Sequence, residues 1–269
     1  MKIVAISGTK GGGGRTTVAL NLAYQFAQAR KRVLLVDVDV QGGIAHSLTA
    51  NTVGVPGLAG YVLGGAGGWR DYALRTRVED LLLIPRGELP ARRVIPFAEG
   101  LRTGRLEDLL GSCADSFDIA LLDTSAGPTA TTLAALKAAT HTLGVVPSTP
   151  LGLRSVPDLL QMIGWVREEG AGLKLLGLVP TMVDLRDPTS SAVARVLWEE
   201  FPDGAVFDTF LPLDSSFPAA TEAGLPLALL PRRPQFAVST LARLAEELDR
   251  RLHPPREGKM DVPSQPLVG

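Results

Sequence analysis

Short apolar runs alternate with longer amphipathic stretches along most of the chain. The apolar runs have lengths that suit strands covered on both faces, and they lie at residues 2–7, 32–36, 80–84, 117–122, 142–147, 174–180 and 205–211. Apolar residues at helical spacing occur at residues 18–29, 129–139, 155–169, 191–200 and 235–252. Strands that alternate with helices in this way predict a parallel sheet with helices on both faces.

The stretches outside this alternation bear on the domain organisation. Residues 50–79 are rich in glycine and irregular, with a short helix predicted at residues 58–63. Residues 253–269 are rich in proline and polar side chains, which predicts a disordered tail. No internal repeat and no linker divides the remainder. We therefore expect one three-layer α/β domain over residues 1–252, with a mostly parallel twisted sheet flanked by helices.

Composition and charge exclude several classes of protein and of binding site. The chain has 269 residues and a net charge of −1, so no field of the whole protein attracts it to nucleic acid or to an anionic membrane. Because Cys113 is the only cysteine, an intrachain disulfide and a cysteine metal cluster within one chain are excluded, and we expect a buried thiol. Residues 1–25 lack the pattern of a signal peptide, and no stretch approaches the roughly 18–20 apolar residues of a membrane helix. These features predict a cytoplasmic protein.

A glycine-rich loop at residues 10–17 (KGGGGRTT) is the most specific chemical signal. It follows the first predicted strand and precedes the first predicted helix, which is the setting of a phosphate-binding loop. Glycines let main-chain N–H groups turn towards an anion, and the helix N-terminus adds a positive dipole end. The alternative is a glycine turn without a ligand, which the flanking strand, helix and basic residues disfavour. The predicted phosphate ligands are Gly11, Gly12, Gly13, Gly14, Arg15, Thr16 and Thr17.

Acidic residues end two of the predicted strands. Asp37 and Asp39 are two positions apart, so their side chains point to the same side at the carboxyl edge of the sheet. Asp123 ends the apolar run at residues 117–122, where a carboxylate can hold Mg²⁺ through water. The hydroxyl of Thr16 begins the first helix and is placed to ligate the same ion. We therefore predict Thr16 and Asp123 as metal ligands, whereas Asp118, at the start of its strand, is expected to be structural.

The loop resembles the deviant Walker A motif of the ParA/MinD family of dimerising ATPases, Lys-Gly-Gly-any-Gly-Lys-Thr/Ser. The match includes Lys10, which in that family reaches the phosphates of the partner in an ATP-sandwich dimer. Arg15 departs from the family, which has a lysine that contacts the β- and γ-phosphates. The resemblance implies a SIMIBI-like P-loop NTPase fold, ATP or ADP and Mg²⁺ as cofactors, and a homodimer on ATP binding. Lys10 and Arg15 are then expected to neutralise phosphate charge.

Further segments are similar to the same family. Residues 37–42 (DVDVQG) resemble its Asp-any-Asp-Pro-Gln switch, although Val40 replaces the usual proline. The resemblance implies that Asp39 orients the attacking water and that Asp37 belongs to the metal site with Thr16 and Asp123. Residues 117–124 (FDIALLDT) resemble a Walker B strand, without the two prolines that often follow. Residues 177–187 and 209–227 resemble the segments around the base, so the resemblance spans about residues 1–250. It implies adenine contacts at Pro147, Met182, Pro212, Leu213 and Asp214.

The sequence leaves more than one kind of binding partner open. ParA-like members bind DNA without sequence preference, which requires several phosphate contacts. Arg186 stands where the family often has a DNA-contacting arginine, and Arg232 and Arg233 extend the candidate patch, but a solvated surface explains arginines of the C-terminal region equally well. Residues 254–269 have no apolar face, which disfavours MinD-like membrane binding. The arginines between residues 86 and 105 are either a protein-partner surface or a solvated one.

Two functional hypotheses follow. The first is an ATPase whose nucleotide-sandwich dimer positions or partitions DNA or another cargo, associates with the nucleoid, and hydrolyses ATP slowly until a protein partner stimulates it. The second is a nucleotide-dependent scaffold that recruits a protein partner with negligible turnover. Lys10 and Asp39 favour the first hypothesis. Arg15 favours the second, because a guanidinium can still bind phosphate but is wider than an ammonium, and we expect it to lie off the position where charge develops, which slows hydrolysis.

Overall fold

A seven-stranded sheet organises the molecule in the computed structural model, which describes residues 1–44, 54–232 and 234–254. The strand order is β3-β4-β2-β5-β1-β6-β7, and all neighbours are parallel except the short edge strand β3, which is antiparallel to β4. The strands are β1 (Lys2–Ser7), β2 (Val33–Asp37), β3 (Leu74–Arg75), β4 (Leu81–Ile84), β5 (Ile119–Asp123), β6 (His141–Pro147) and β7 (Lys174–Thr181).

Helices cover both faces of this sheet. The described helices are α1 (Arg15–Gln28), α2 (Gly57–Val62), α3 (Val94–Arg102), α4 (Arg105–Ser112), α5 (Ala130–Ala138), α6 (Pro150–Arg154), α7 (Val156–Glu168), α8 (Pro188–Glu200), α9 (Ser216–Ala223) and α10 (Gln235–Leu252). Short 3₁₀ turns lie at Trp69–Tyr72, Ala91–Arg93, Ala114–Ser116 and Leu227–Leu229. This is the single three-layer α/β domain that the sequence predicts.

The alternation of side chains along the strands explains why the core has two halves. In β1, Val4 and Ile6 pack with α1 and α10, whereas Ala5 between them packs with the helices of the opposite face. Both sets are fully buried, since successive residues of a strand point to opposite faces. The central strands therefore need apolar residues at nearly every position, which is the pattern that marks them in the sequence.

Most of the predicted elements are confirmed within a few residues. Helix α1 begins at Arg15 rather than at residue 18, because Gly14 adopts a left-handed conformation and ends the loop just before it. Helix α8 begins at Pro188 rather than at residue 191, since the Asp187 carboxylate caps it by accepting hydrogen bonds from two main-chain amides. The predicted disordered tail falls largely on residues 255–269, which lie outside the described part of the chain.

The strand predicted at residues 205–211 is wrong. This segment forms only an isolated bridge between Val206 and Leu178, and another follows it between Pro212 and Val183. Its main chain still bonds to β7, where the amide of Phe207 donates to the carbonyl of Leu178. Side chains of α10 hold it as well: Glu247 accepts from the amides of Asp208 and Thr209, at 3.0 Å each. An apolar run beside a sheet is thus packed and hydrogen-bonded without joining the ladder.

Arg251 of α10 anchors the same segment and supplies a stability prediction. Its guanidinium donates to the carbonyls of Gly204 and Val206, pairs with buried Glu247 at 2.8 Å, and lies 3.8 Å from the centroid of the Phe207 ring. We expect Arg251→Ala to lower the free energy of unfolding by about 3–5 kcal/mol, because it leaves a buried carboxylate unpaired. Denaturant titration checks this, with the exposed neighbour Arg250→Ala as a control expected to change stability by less than about 0.5 kcal/mol.

Candidate phosphate-binding site

Three central strands bring the predicted residues to one edge of the sheet. In the order β2-β5-β1, Asp37 lies beside Asp123, and Asp123 lies beside Ile6 near the end of β1. The glycine loop leaves β1 at this same edge and leads into α1. The loop, the switch acids and the Walker B-like aspartate are therefore neighbours, as their positions at strand ends predict.

The loop has an open, glycine-dependent shape. Gly12 and Gly14 have φ angles of 70° and 92°, a region that residues with a Cβ rarely adopt. A Cβ added to Gly11, Gly12 or Gly14 would meet no atom within 4 Å, so the loop borders open space. The first turn of α1 has no acidic residue, and its free amides face outward from the helix start. This is the cradle that an anionic group requires.

Thr16 and Asp123 form the part of the site suited to a cation. The Thr16 hydroxyl donates to Oδ2 of Asp123 at 2.7 Å, while Oδ1 of the fully buried Asp123 has no hydrogen-bond partner among the described residues. Burial is the main cause that raises the pKa of the Asp123 carboxyl well above its ordinary value, and the charge of Asp37 raises it further. A buried carboxylate oxygen without a partner fits Mg²⁺, which proteins often hold through one or two carboxylates together with phosphate oxygens.

Hydrogen bonds that the sequence does not predict fix the carboxylates of Asp37 and Asp39. Oδ1 of Asp39 accepts from the Ser125 hydroxyl at 2.7 Å and from the amide of Gln41 at 3.0 Å. The Asp37 carboxylate accepts from the amides of Asp39 and Ile44. Asp39 is thus tied to the segment after β5, whereas Asp37 braces the chain that follows β2. Among the described residues, no group of three or more His, Cys, Asp or Glu side chains is arranged as a metal cluster.

Arg15 is turned into the protein. Its Nε donates to the carbonyl of Thr124 at 3.0 Å, and Nη1 donates to the carbonyls of Lys10 and Gly8 at 2.6 and 3.4 Å. The side chain is 9% exposed. Burial lowers the pKa of the Arg15 guanidinium, and the negative charges of Asp123 and Asp39 partly offset this effect. Two of its three nitrogens therefore brace the loop against the end of β5.

Lys10 is placed differently from Arg15. It is an exposed residue at the outer side of the loop, and only its carbonyl, which accepts from Arg15, takes part in the contacts described above. The two side chains predicted to neutralise phosphate charge thus differ in how freely they can move. Lys10 can reach outward, while Arg15 is held within its own loop.

A small apolar cavity beside the loop corresponds to the predicted adenine site. Its volume is about 110 Å³. Met182, in a left-handed conformation with φ 56°, turns the chain at its wall. The residues that line it are Gly14, Thr17, Thr181, Met182, Leu211, Pro212, Leu213, Asp214, Phe217 and Pro218. All predicted adenine contacts except Pro147 are in this set. Pro147 packs against the loop instead, with Cδ 3.5 Å from a Cβ built on Gly13.

The two described members of the predicted DNA-contacting set, Arg186 and Arg232, differ in their surroundings. Nε of Arg186 lies 3.1 Å from Oδ1 of Asp184, and this bond lowers the pKa of the Asp184 carboxyl. Arg232 is exposed, and Arg233 lies outside the described residues.

At the amino ends of the strands, opposite the glycine loop, Asp118 pairs with Arg32. Cys113 is buried, and burial raises the pKa of its thiol to about 11. The structural assignments of Asp118 and Cys113 are thus confirmed.

Comparison with known proteins decides the family. A family model described as an AAA domain matches residues 1–174. Over 230 residues the chain is 30% identical to the chromosome-partitioning ATPase Soj of Treponema pallidum, covering 84% of this chain and 89% of that protein. The chain belongs to the ParA/MinD family of P-loop ATPases. It is also 27% identical over 232 residues to the IncC protein of Escherichia coli, where the match covers 84% of this chain but only 63% of IncC.

Solved structures agree with this ParA/MinD family fold. The septum site-determining protein MinD of Pyrococcus horikoshii, complexed with Mg-ADP, superposes with a TM-score of 0.76 at 23% identity, covering 94% of this chain and 97% of that one. The mostly parallel sheet with helices on both faces is therefore that of MinD-like P-loop NTPases. Within the part of the chain that the structure describes, no helix has the length and apolar character to cross a membrane.

Sequence reasoning missed several residues that shape the site. Ser125 holds Asp39, and the Thr181 hydroxyl donates to the carbonyl of Gly13 at 2.8 Å, joining the loop to β7. Phe217 and Pro218 of α9 complete the apolar cavity. The Ser125 contact had a signal, since a hydroxyl two residues after Asp123 occurs where the family has prolines. The Thr181 contact joins residues 168 positions apart, and no local pattern indicates it.

Proposed function

We propose that this chain is a ParA-like nucleotide-binding protein that forms a dimer around ATP and Mg²⁺ and positions or partitions a cellular cargo. The observation that carries the proposal is the buried Oδ1 of Asp123, which has no hydrogen-bond partner in the described part of the chain, in a carboxylate that accepts from the Thr16 hydroxyl beneath an open glycine loop. A magnesium ion bound to a nucleotide would supply the missing partner. The relatives named as partition ATPases, and the MinD bound to Mg-ADP, support the same cofactors.

The residues divide the expected work as follows. Main-chain amides of the glycine loop and of the first turn of α1 hold the phosphates, and the cavity at Met182 and Leu213 takes the base. Thr16 and Asp123, with Asp37 beside Asp123, would hold Mg²⁺, which would supply charge neutralisation at the transferred phosphate. Asp39, oriented by Ser125, accepts a hydrogen bond from the attacking water. Lys10, exposed beside the loop, is free to reach a second copy of the chain.

Slow hydrolysis follows from the position of Arg15. Three main-chain carbonyls fix its guanidinium, so it does not move freely to the place where charge develops during transfer. Phosphoryl transfer depends on such placement. This observation also favours the second candidate function, a scaffold that binds nucleotide and recruits a protein partner with negligible turnover.

Among the described residues, DNA binding would depend on Arg186 and Arg232. Arg186 is exposed but pairs with the Asp184 carboxylate, which leaves Arg232 as the exposed cation without an ion pair among the described members of the predicted patch. Gel shifts with ATP and plasmid DNA at low and at high salt test it, because binding through phosphate contacts weakens steeply as salt rises. No shift at low salt rejects DNA as the surface on which the dimer acts.

ATP turnover with and without DNA, measured beside light scattering, separates the two functions. The partition ATPase predicts a doubling of mass on adding ATP and Mg²⁺, together with slow turnover that DNA or a protein partner raises. The scaffold predicts nucleotide binding without turnover under every condition. Lys10→Ala is the matched variant: we expect it to retain nucleotide binding by the monomer and to lose the ATP-dependent increase in mass.

A further inference from the structure

Arg86 lies where the strand next to β2 ends, and it contacts the switch segment. It follows β4 by two residues, and β4 pairs in register with β2, so the two chains leave the sheet side by side. Nη1 of Arg86 donates to the carbonyl of Val40 at 2.6 Å, and Nε donates to the carbonyl of Gly87 at 3.0 Å. Arg86 is half-buried. Main-chain carbonyls of the segment after β2 and of the segment after β4 hold its guanidinium.

The turn that Arg86 contacts carries the proposed water-orienting carboxylate. The amide of Gly42 donates to the carbonyl of Asp39 at 2.8 Å and closes the turn with Val40 inside it. A Cβ on Gly42, whose φ is 68°, would lie only 3.0 Å from Cζ of Arg86. The guanidinium therefore lies directly against the turn, and glycine is the residue that permits this approach.

The far end of the same turn reaches the cation-binding part of the site. A Cβ on Gly43 would lie 2.8 Å from Oγ1 of Thr16 and 3.6 Å from Oδ2 of Asp123. The turn thus spans from Asp39 to Thr16, with Ser125 holding its inner side and Arg86 its outer side. Movement of the turn would change the positions of Asp39 and Gly43 together.

Arg86 also connects this turn to the glycine-rich region before β3. Its own carbonyl accepts from the amide of Ala59 at 2.8 Å, so the start of α2 is docked on the residue that holds the switch. A Cβ on Gly87 would lie 2.0 Å from the carbonyl oxygen of Pro56, which shows how closely the segments around these two residues cross. The position of α2 and the shape of the switch turn therefore depend on the same residue, α2 through the carbonyl of Arg86 and the turn through its side chain.

We infer that Arg86 is a positioning residue for the switch segment: its bond to Val40 holds the turn that presents Asp39, and it links the shape of that turn to the position of α2. The part of this inference that concerns turnover rests on the proposed function. Its structural part does not, since it concerns the hydrogen bond from Arg86 to Val40 and not the reaction. Both parts are tested with Arg86→Ala and Arg86→Lys. Arg92→Ala, an exposed arginine of the neighbouring 3₁₀ turn, is the matched control.

Amide hydrogen exchange of the nucleotide-free protein is the first readout. The amides of Gln41 and Gly42 donate to Asp39, and the amide of Ile44 donates to Asp37. In Arg86→Ala we expect them to exchange at least about tenfold faster while the amides of β1 stay at wild-type rates, because local opening affects only the contacts it breaks. Arg86→Lys should lie between, since one ammonium can still donate to Val40. Wild-type exchange in the switch, or an equal rise throughout the sheet, overturns the inference.

Turnover and nucleotide affinity are the second readout. For Arg86→Ala we expect ATP turnover to fall about tenfold or more while the dissociation constant for ATP changes less than about threefold, since a misplaced Asp39 affects the transfer step and not the phosphate loop. Turnover equal to that of the wild type overturns the positioning of Asp39. A wild-type chain that fails to bind nucleotide would contradict the proposed function alone, because the exchange result would still decide whether Arg86 holds the turn.

Discussion

Replacing Arg15 by lysine is expected to raise ATP turnover by about tenfold or more, because transfer depends on charge placed at the phosphate. In the structure the guanidinium donates to the carbonyls of Gly8, Lys10 and Thr124 and so braces the loop. A lysine ammonium is compact and carries no planar fork, so it can leave those carbonyls and approach the β- and γ-phosphates. Steady-state turnover of the two proteins with ATP and Mg²⁺ measures the difference.

The same substitution is expected to cost stability, which separates this account from a general improvement in folding. Loss of the bonds to Gly8 and Thr124 should lower the free energy of unfolding by about 2 kcal/mol. Arg195→Lys, the same exchange at an exposed position of α8, should change neither quantity. Equal turnover of wild type and Arg15→Lys would remove the idea that the arginine limits hydrolysis.

Replacing Asp123 by asparagine is expected to abolish the effect of Mg²⁺ on nucleotide affinity. The variant keeps an oxygen for the Thr16 hydroxyl but loses the negative charge that a magnesium ion requires. Calorimetry with ATP should show an increase in affinity on adding Mg²⁺ of about tenfold or more for the wild type, and less than about threefold for Asp123→Asn. Asp118→Asn, at the opposite edge of the sheet, is the control and should keep the wild-type response.

Asp123→Asn is also expected to stabilise the nucleotide-free protein at neutral pH. Burial raises the pKa of the Asp123 carboxyl, so the folded protein holds this proton more tightly than the unfolded chain does. The stability that the protonated form provides is complete below the ordinary carboxyl pKa and is lost as pH rises through the raised value. We expect the midpoint of thermal unfolding of the variant to exceed that of the wild type by a few degrees at pH 7, about 1 kcal/mol, and the gap to close in acid. A gap that does not change with pH would contradict the raised pKa.

The sequence predicts the centre of the site well for a physical reason. Phosphate loops and strand-end carboxylates are local patterns, and parallel strands bring their carboxyl ends to one edge whatever their order in the sheet. The positions of Thr16, Asp37 and Asp123 therefore follow from the residues alone, and the structure places them together. The apolar cavity needed the family resemblance, because its walls come from segments far apart in the chain.

Long-range polar contacts account for what the sequence does not predict. The bonds from Arg15 to Thr124 and from Arg86 to Val40 join residues that no periodicity relates. The apolar run at residues 205–211 has the composition of a strand, but the Glu247 and Arg251 side chains that bond to its main chain lie 38 to 45 positions away. Helices α6 and α9 are short and begin beside proline or serine, so their helical pattern is too brief to detect.

Calorimetry of the purified, folded chain with adenine nucleotides tests the central claim most directly. The account holds that main-chain amides of the glycine loop bind a polyphosphate while Asp123 and Thr16 face it with a magnesium ion. It predicts saturable binding of ATP and ADP with one nucleotide per chain, tighter with Mg²⁺ than without it. No heat of binding for any adenine or guanine nucleotide in the presence of Mg²⁺ would contradict it.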